Sequence, residues 1–130
     1  MSIEIDLEEI THALYVINRN LKTITAPDRR RYLYNLKKNV LLKLVSEGKA
    51  KKVGIHFSPN PRLSKQANDV LIEVGDYAFH IPPTKEDFQT LPHLGQREQE
   101  KRNPKVYYPF KKAIRLLEDY LEDKVQIKKI

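Results

Sequence analysis

The residues in this chain whose types are best suited to chemistry are two histidines, His56 and His80, and a run of three arginines, Arg29, Arg30 and Arg31. Imidazole ligates zinc and iron, and its ordinary pKa of about 6.5 lets it give or take a proton near neutral pH. Each histidine stands in a short alternating stretch, so both point to one sheet face if their strands come together. Glu73 or Asp87 would then complete a metal set, and the same pair of imidazoles would serve as acid and base in a nuclease-like reaction. The spacing does not form His-Glu-x-x-His, and the absence of cysteine removes thiolate ligands, thiolate catalysis and disulfides together. The competing reading is two strand histidines packed under a loop or helix. No metal or other cofactor is expected, and His56 and His80 are kept as the candidates for one.

The arginines point to a different chemistry. A guanidinium is a fork that matches phosphate or carboxylate. Arg29, Arg30 and Arg31 follow Pro27-Asp28, in the first turn of a helix, where backbone N–H groups favour anions and cations oppose the dipole. An acidic partner relieves that conflict. Lys37, Lys38, Lys51 and Lys52 extend the positive charge, and Arg62 adds to it on the Pro59-Asn60-Pro61-Arg62 turn. Tyr32 and Tyr34 interleave with these charges, as base-stacking residues would, though tyrosines at helical spacing also serve as packing. Nucleophile elbows, P-loops and dinucleotide fingerprints are absent, and the 4 glycines never cluster into a phosphate cradle.

These residues need elements to hold them. Asp6 with Glu9 resembles a capping box, and Leu7, Ile10, Leu14, Ile17 and Leu21 draw one apolar stripe along a first helix. Pro27 opens a second, whose stripe of Leu33, Leu36, Val40 and Leu44 ends at Gly48. The short connection predicts an antiparallel helix hairpin. From about 52 to 58 the pattern changes to alternation, with Val53, Ile55 and Phe57 against Lys52, Gly54, His56 and Ser58. Runs at 70–74 and 77–81 flank Gly75-Asp76, a two-residue hairpin turn. That register places Val74 opposite Tyr77, Ile72 opposite Phe79 and Val70 opposite Ile81. Thr84 caps a short helical turn reaching Leu91. Residues 92–103 read as loop, with His93 closing a turn, and a last helix runs from about 109 to 123. The fold class is therefore α+β: a helix hairpin, a small three-stranded antiparallel sheet and a C-terminal helix, in one domain over 1–130.

Composition narrows the setting. The chain has 130 residues, 40% hydrophobic and 32% charged, with a net charge of +7, so a folded domain is expected rather than a disordered one. No apolar run approaches the roughly 20 residues of a membrane span. The start carries Glu4 and Asp6 where a secretory leader carries lysines, so a cytoplasmic location is expected. The charge is uneven. Residues 19–52 hold eleven bases against Asp28 and Glu47, whereas the segment before them is acidic. Such asymmetry favours an anionic partner over a uniformly solvated surface.

Several stretches resemble the YkyB-like family. One is Gly54-Ile55-His56-Phe57-Ser58-Pro59-Asn60-Pro61-Arg62, and a second runs from Gly75-Asp76-Tyr77-Ala78-Phe79-His80 through Pro82-Pro83 to Phe88. Leu91-Pro92-His93-Leu94-Gly95, Arg102-Asn103-Pro104-Lys105 and Tyr32-Leu33-Tyr34 extend the likeness from about residue 10 to 120. The resemblance implies small proteins of bacilli and their phages with no assigned activity, so no residue roles carry over. Function is expected from the charge. The first expectation is a non-enzymatic binding module that docks nucleic acid or an acidic protein surface on the second helix, without a membrane. The alternative is a protein-interaction module, a regulator or inhibitor, contacting its partner through Phe88 and His93 on the stiff segment after Pro82. The further alternative is the histidine-centred, metal-dependent enzyme.

Overall fold

The computed structural model describes residues 3–59, 66–94 and 108–128. The chain forms two compact units, Met1–Lys49 with Asn103–Ile130, and Ala50–Arg102.

The first unit is helical. Helix α1 (Leu7–Leu21) and helix α2 (Pro27–Ser46) are joined by a five-residue connection, with Pro27 at the start of α2. Both bury the predicted stripes: Ile10, Leu14 and Ile17 on one, Leu33, Val40, Leu41 and Leu44 on the other, each at most 1% exposed. Gly48, with φ +73°, ends α2 as expected, and the N–H of Lys49 donates to the Leu44 carbonyl at 2.8 Å. A residue with a Cβ avoids that conformation, which is why glycine stands there. Helix α4 (Phe110–Leu121) packs against α1 and α2 with Ala113, Leu117 and Tyr120 buried. The expected capping box at Asp6 does not form. Asp6 occupies the N-cap, but its side chain makes no cap bond and lies 3.8 Å from Lys128 Nζ.

Strands β1 (Ile3–Ile5) and β6 (Val125–Ile127) pair in parallel, Ile3 with Val125 and Ile5 with Ile127. This two-stranded sheet is an addition to the three strands expected. It is reached through Asp123, a non-glycine residue at φ 60°, whose turn lets the Lys124 N–H donate to the Asp119 carbonyl at 2.8 Å.

The second unit carries a four-stranded sheet of order β4-β3-β2-β5, with β2 (Lys51–Pro59), β3 (Gln66–Val74), β4 (Tyr77–Ile81) and β5 (His93–Leu94). The hairpin register at Gly75-Asp76 is the expected one, with Gly75 at φ +58°. Three expectations are corrected. The sheet has four strands and is mixed, because His93-Leu94, read as loop, runs parallel to Ile55-His56. Strand β2 continues through Ser58 and Pro59, which pair with Ala67 and Gln66. Proline is tolerated there because β5 reaches only Ile55 and His56, so the other side of Pro59 needs no donor. Finally, a bulge at Val53 puts Lys52 opposite Ile72 and Gly54 opposite Leu71. The extra residue moves Lys52 onto the face of Ile55, Val70 and Ile72.

Gly54 is needed for a second reason. A Cβ there would lie 2.7 Å from the Pro92 carbonyl and 2.8 Å from Leu94 Cγ, and the Ile55 N–H donates to the same carbonyl at 2.9 Å. Helix α3 (Lys85–Thr90) follows the Pro82-Pro83 pair and is started by Thr84, as expected.

Candidate functional site

The cations of the helical unit are used in two ways, and the direction of α2 and α4 explains which is which. The Arg29 guanidinium lies over the Phe110 ring, 5.6 Å from its centroid, at the start of both helices. Lys43, near the end of α2, reaches Tyr120 and Asp123 at the end of α4. The two helices therefore run side by side in the same direction. Their N-terminal ends, each with unmade backbone N–H bonds and a partial positive charge, lie at one end of the pair.

That end is cationic. Arg29, Arg30 and Arg31 are exposed, and so are Lys111 and Lys112 in the first turn of α4, which holds no acid. Lys112 Nζ stands 5.3 Å above the Tyr108 ring, so each helix start lays one cation on an aromatic face. Burial, with the charge of Glu9, raises the Tyr108 pKa and keeps its hydroxyl neutral. Among the described residues, Arg30 and Arg31 have no ion-pair partner, and Asp28 is the one acid in the first turn of α2.

The opposite end is closed. Lys43 Nζ donates to the Tyr120 carbonyl and to Asp123 Oδ1 at 2.7 Å, and sits 4.2 Å from the Tyr120 ring centroid. The Tyr120 hydroxyl donates to Glu47, and burial together with that bond pushes its pKa upward. Between the two ends the Tyr32 hydroxyl donates to Glu118, which pushes the Tyr32 pKa up to about 12. Tyr32 is thereby held as a neutral donor across the physiological range, its hydroxyl engaged on α4.

The predicted anion-binding residues divide along the same line. Lys37 is 5% exposed and donates to Asn18 Oδ1 at 2.9 Å, so it ties α2 to α1. Lys38 is half-buried and Lys51 exposed. Lys52 donates to Asp87 Oδ1 at 2.8 Å. Lys51 and Lys52 belong to the second unit, and Arg62 lies outside the described residues. Lys111 and Lys112 were not singled out from the sequence. Their signal, Phe110-Lys111-Lys112 directly after Pro109, is a second basic helix start, but only helix direction links it to Arg29.

In the second unit, Asp87 completes a capping box: its Oδ2 accepts from the Thr84 N–H at 2.9 Å, and its own N–H donates to the Thr84 hydroxyl at 3.2 Å. It is 3% exposed. Burial alone would raise its pKa, but the bond from Lys52 and those from Thr84 outweigh burial and hold it below the ordinary carboxylate value. Phe88, on the same helix, is 42% exposed, and His93 is exposed on β5. The two candidate histidines do meet. Strand β3 separates their strands, yet the ring centroids of His56 and His80 are 5.4 Å apart. Nε2 of His56 is buried, with no hydrogen-bond partner among the described residues. An unpartnered buried polar atom costs about 1–3 kcal/mol. No three His, Asp or Glu side chains converge on a metal position among the described residues, and no described helix is long and apolar enough to cross a membrane.

This α+β chain, with its basic helix ends and a histidine pair on a small sheet, belongs to the YkyB-like protein family, whose profile matches residues 6–124. It is 55% identical over 115 residues to the uncharacterized protein YkyB of Bacillus subtilis (strain 168), a match covering 88% of this chain and 73% of the relative. No solved structure matches it. The relative's name carries no activity, so function is argued from the geometry alone.

Proposed function

We propose that the chain is a non-enzymatic binding module that docks an anionic partner, nucleic acid before acidic protein, on the shared N-terminal end of α2 and α4. The observation that carries this reading is the unequal use of cations within one helical unit. Lys37 and Lys43 are bound to internal acceptors, whereas Arg30, Arg31 and Lys111 are exposed at helix starts, where a cation works against the dipole. A phosphate placed there answers both the side chains and the backbone N–H groups. Five cations spread over two helix starts suit a chain of phosphates better than a single carboxylate. Lys38, half-buried on α2, is an auxiliary contact in this reading, and the cytoplasm is the compartment it requires.

A second reading rests on Phe88, a large apolar side chain 42% exposed on a helix fixed by a complete capping box. It is a protein-interaction module, a regulator or inhibitor of another protein, with Phe88 and His93 in the contact.

Fluorescence anisotropy of labelled single- and double-stranded DNA and RNA, titrated with the full chain and with R29E/R30E/R31E, separates the two. The expected result is binding that weakens steeply with salt, with a log–log slope of about −0.9 per phosphate met on duplex DNA. The variant loses at least about a hundredfold in affinity, since several phosphate contacts turn repulsive, while its circular dichroism is unchanged. Absence of binding by the wild type at low salt, or equal binding by the variant, overturns the reading and leaves the Phe88 surface as the site to test.

A further inference from the structure

The geometry points to an open metal site in the second unit, in which His56 and His80 together take one borderline divalent ion, zinc or nickel, with water completing the coordination. It is independent of the helical surface and goes beyond the binding function proposed for it. Antiparallel pairing places His56 opposite Asp69 and His80 opposite Leu71, so both imidazoles rise from the same face, on either side of β3. Their centroids are 5.4 Å apart and the rings are tilted by 46°. A tetrahedral ion with metal–nitrogen bonds of about 2.0–2.1 Å holds two imidazole centroids roughly 5 Å apart. The pair already has the spacing that a shared ion requires.

The second observation is the buried Nε2 of His56, which has no hydrogen-bond partner among the described residues. A coordinated ion satisfies that nitrogen without a protein acceptor. Each histidine as a whole is half-buried, so the pair lies near the surface although Nε2 of His56 itself is covered. Two nitrogen ligands select a borderline metal over calcium or magnesium, which take oxygen. With no third side-chain ligand converging among the described residues, the remaining positions fall to water. That is the arrangement of an ion that exchanges ligands rather than one that only braces a fold.

The test is calorimetric titration of zinc sulfate, and separately nickel chloride, into the metal-free full chain and its variants. One equivalent is expected to bind the wild type and H12A/H93A alike. H56A and H80A should each lose at least about tenfold in affinity, because a single imidazole remains. Long-range proton–nitrogen spectra give a readout that does not depend on the variants folding: Nε2 of His56 should move on addition of one equivalent of zinc. Failure of the wild type to bind, retention of affinity in H56A/H80A, or a His56 Nε2 resonance that does not respond overturns the site.

Discussion

The two ends of the α2–α4 pair are built from similar residues and differ in what those residues do. At the C-terminal end one ammonium, Lys43, is surrounded by the Tyr120 carbonyl, the Asp123 carboxylate and an aromatic face, and Glu47 accepts from the Tyr120 hydroxyl. A cation there also agrees with the helix dipole. At the N-terminal end five cations stand exposed against that dipole, and Arg29 and Lys112 lie over aromatic rings. The first arrangement is complete within the chain. At the second, Arg30 and Arg31 have no ion-pair partner among the described residues, and the proposed binding surface rests on that difference.

The comparison is broken most readily at Lys43. Lys43→Met removes the ammonium that donates to the Tyr120 carbonyl and to Asp123, and is expected to lower the unfolding free energy by about 2 kcal/mol in a urea titration. Arg30→Ala and Arg31→Ala, at the open end, should each stay within about 0.5 kcal/mol of wild type in the same titration. If the arginines matter to stability as much as Lys43 does, the two ends are not different in kind.

A smaller effect extends the comparison to the second unit, where Lys52 is another closed cation. Asp87→Asn is expected to cost about 1–2 kcal/mol at neutral pH, through the weakened bonds from Lys52 and Thr84. The folded pKa of Asp87 lies below its unfolded value, so its contribution is present in full above the unfolded value of about 3.9 and is lost as pH falls through the folded one. Urea midpoints of wild type and variant should therefore converge as pH is lowered from about 5 toward 2.5. A gap that stays constant with pH would remove the charged pair from the explanation.

Much of the scaffold was legible because it rests on local patterns. The stripes of α1 and α2, the stop at Gly48, the cap at Thr84 and the register across Gly75-Asp76 each follow from spacing or from one residue's backbone preference. What was not legible depends on pairing between distant residues. Strands β1 and β6 have three residues each, too few to show alternation, and come from opposite ends of the chain. The bulge at Val53 leaves no mark in an alternating sequence, so Lys52 was placed on the wrong face. Charge counting grouped Lys37 and Lys52 with Arg29 to Arg31 and could not tell that the two lysines are held by Asn18 and Asp87. Nor could it bring Lys111 and Lys112 to the same end, since that needs the relative direction of two helices 63 residues apart along the chain.

That juxtaposition is the central claim, and the salt dependence of nucleic-acid binding by K111A/K112A tests it most directly. If α2 and α4 form one surface, the variant binds more weakly than wild type and its log–log salt slope is shallower by about one to two, because up to two phosphate contacts are gone. Wild-type affinity with an unchanged slope would contradict the account by confining the partner to α2 alone.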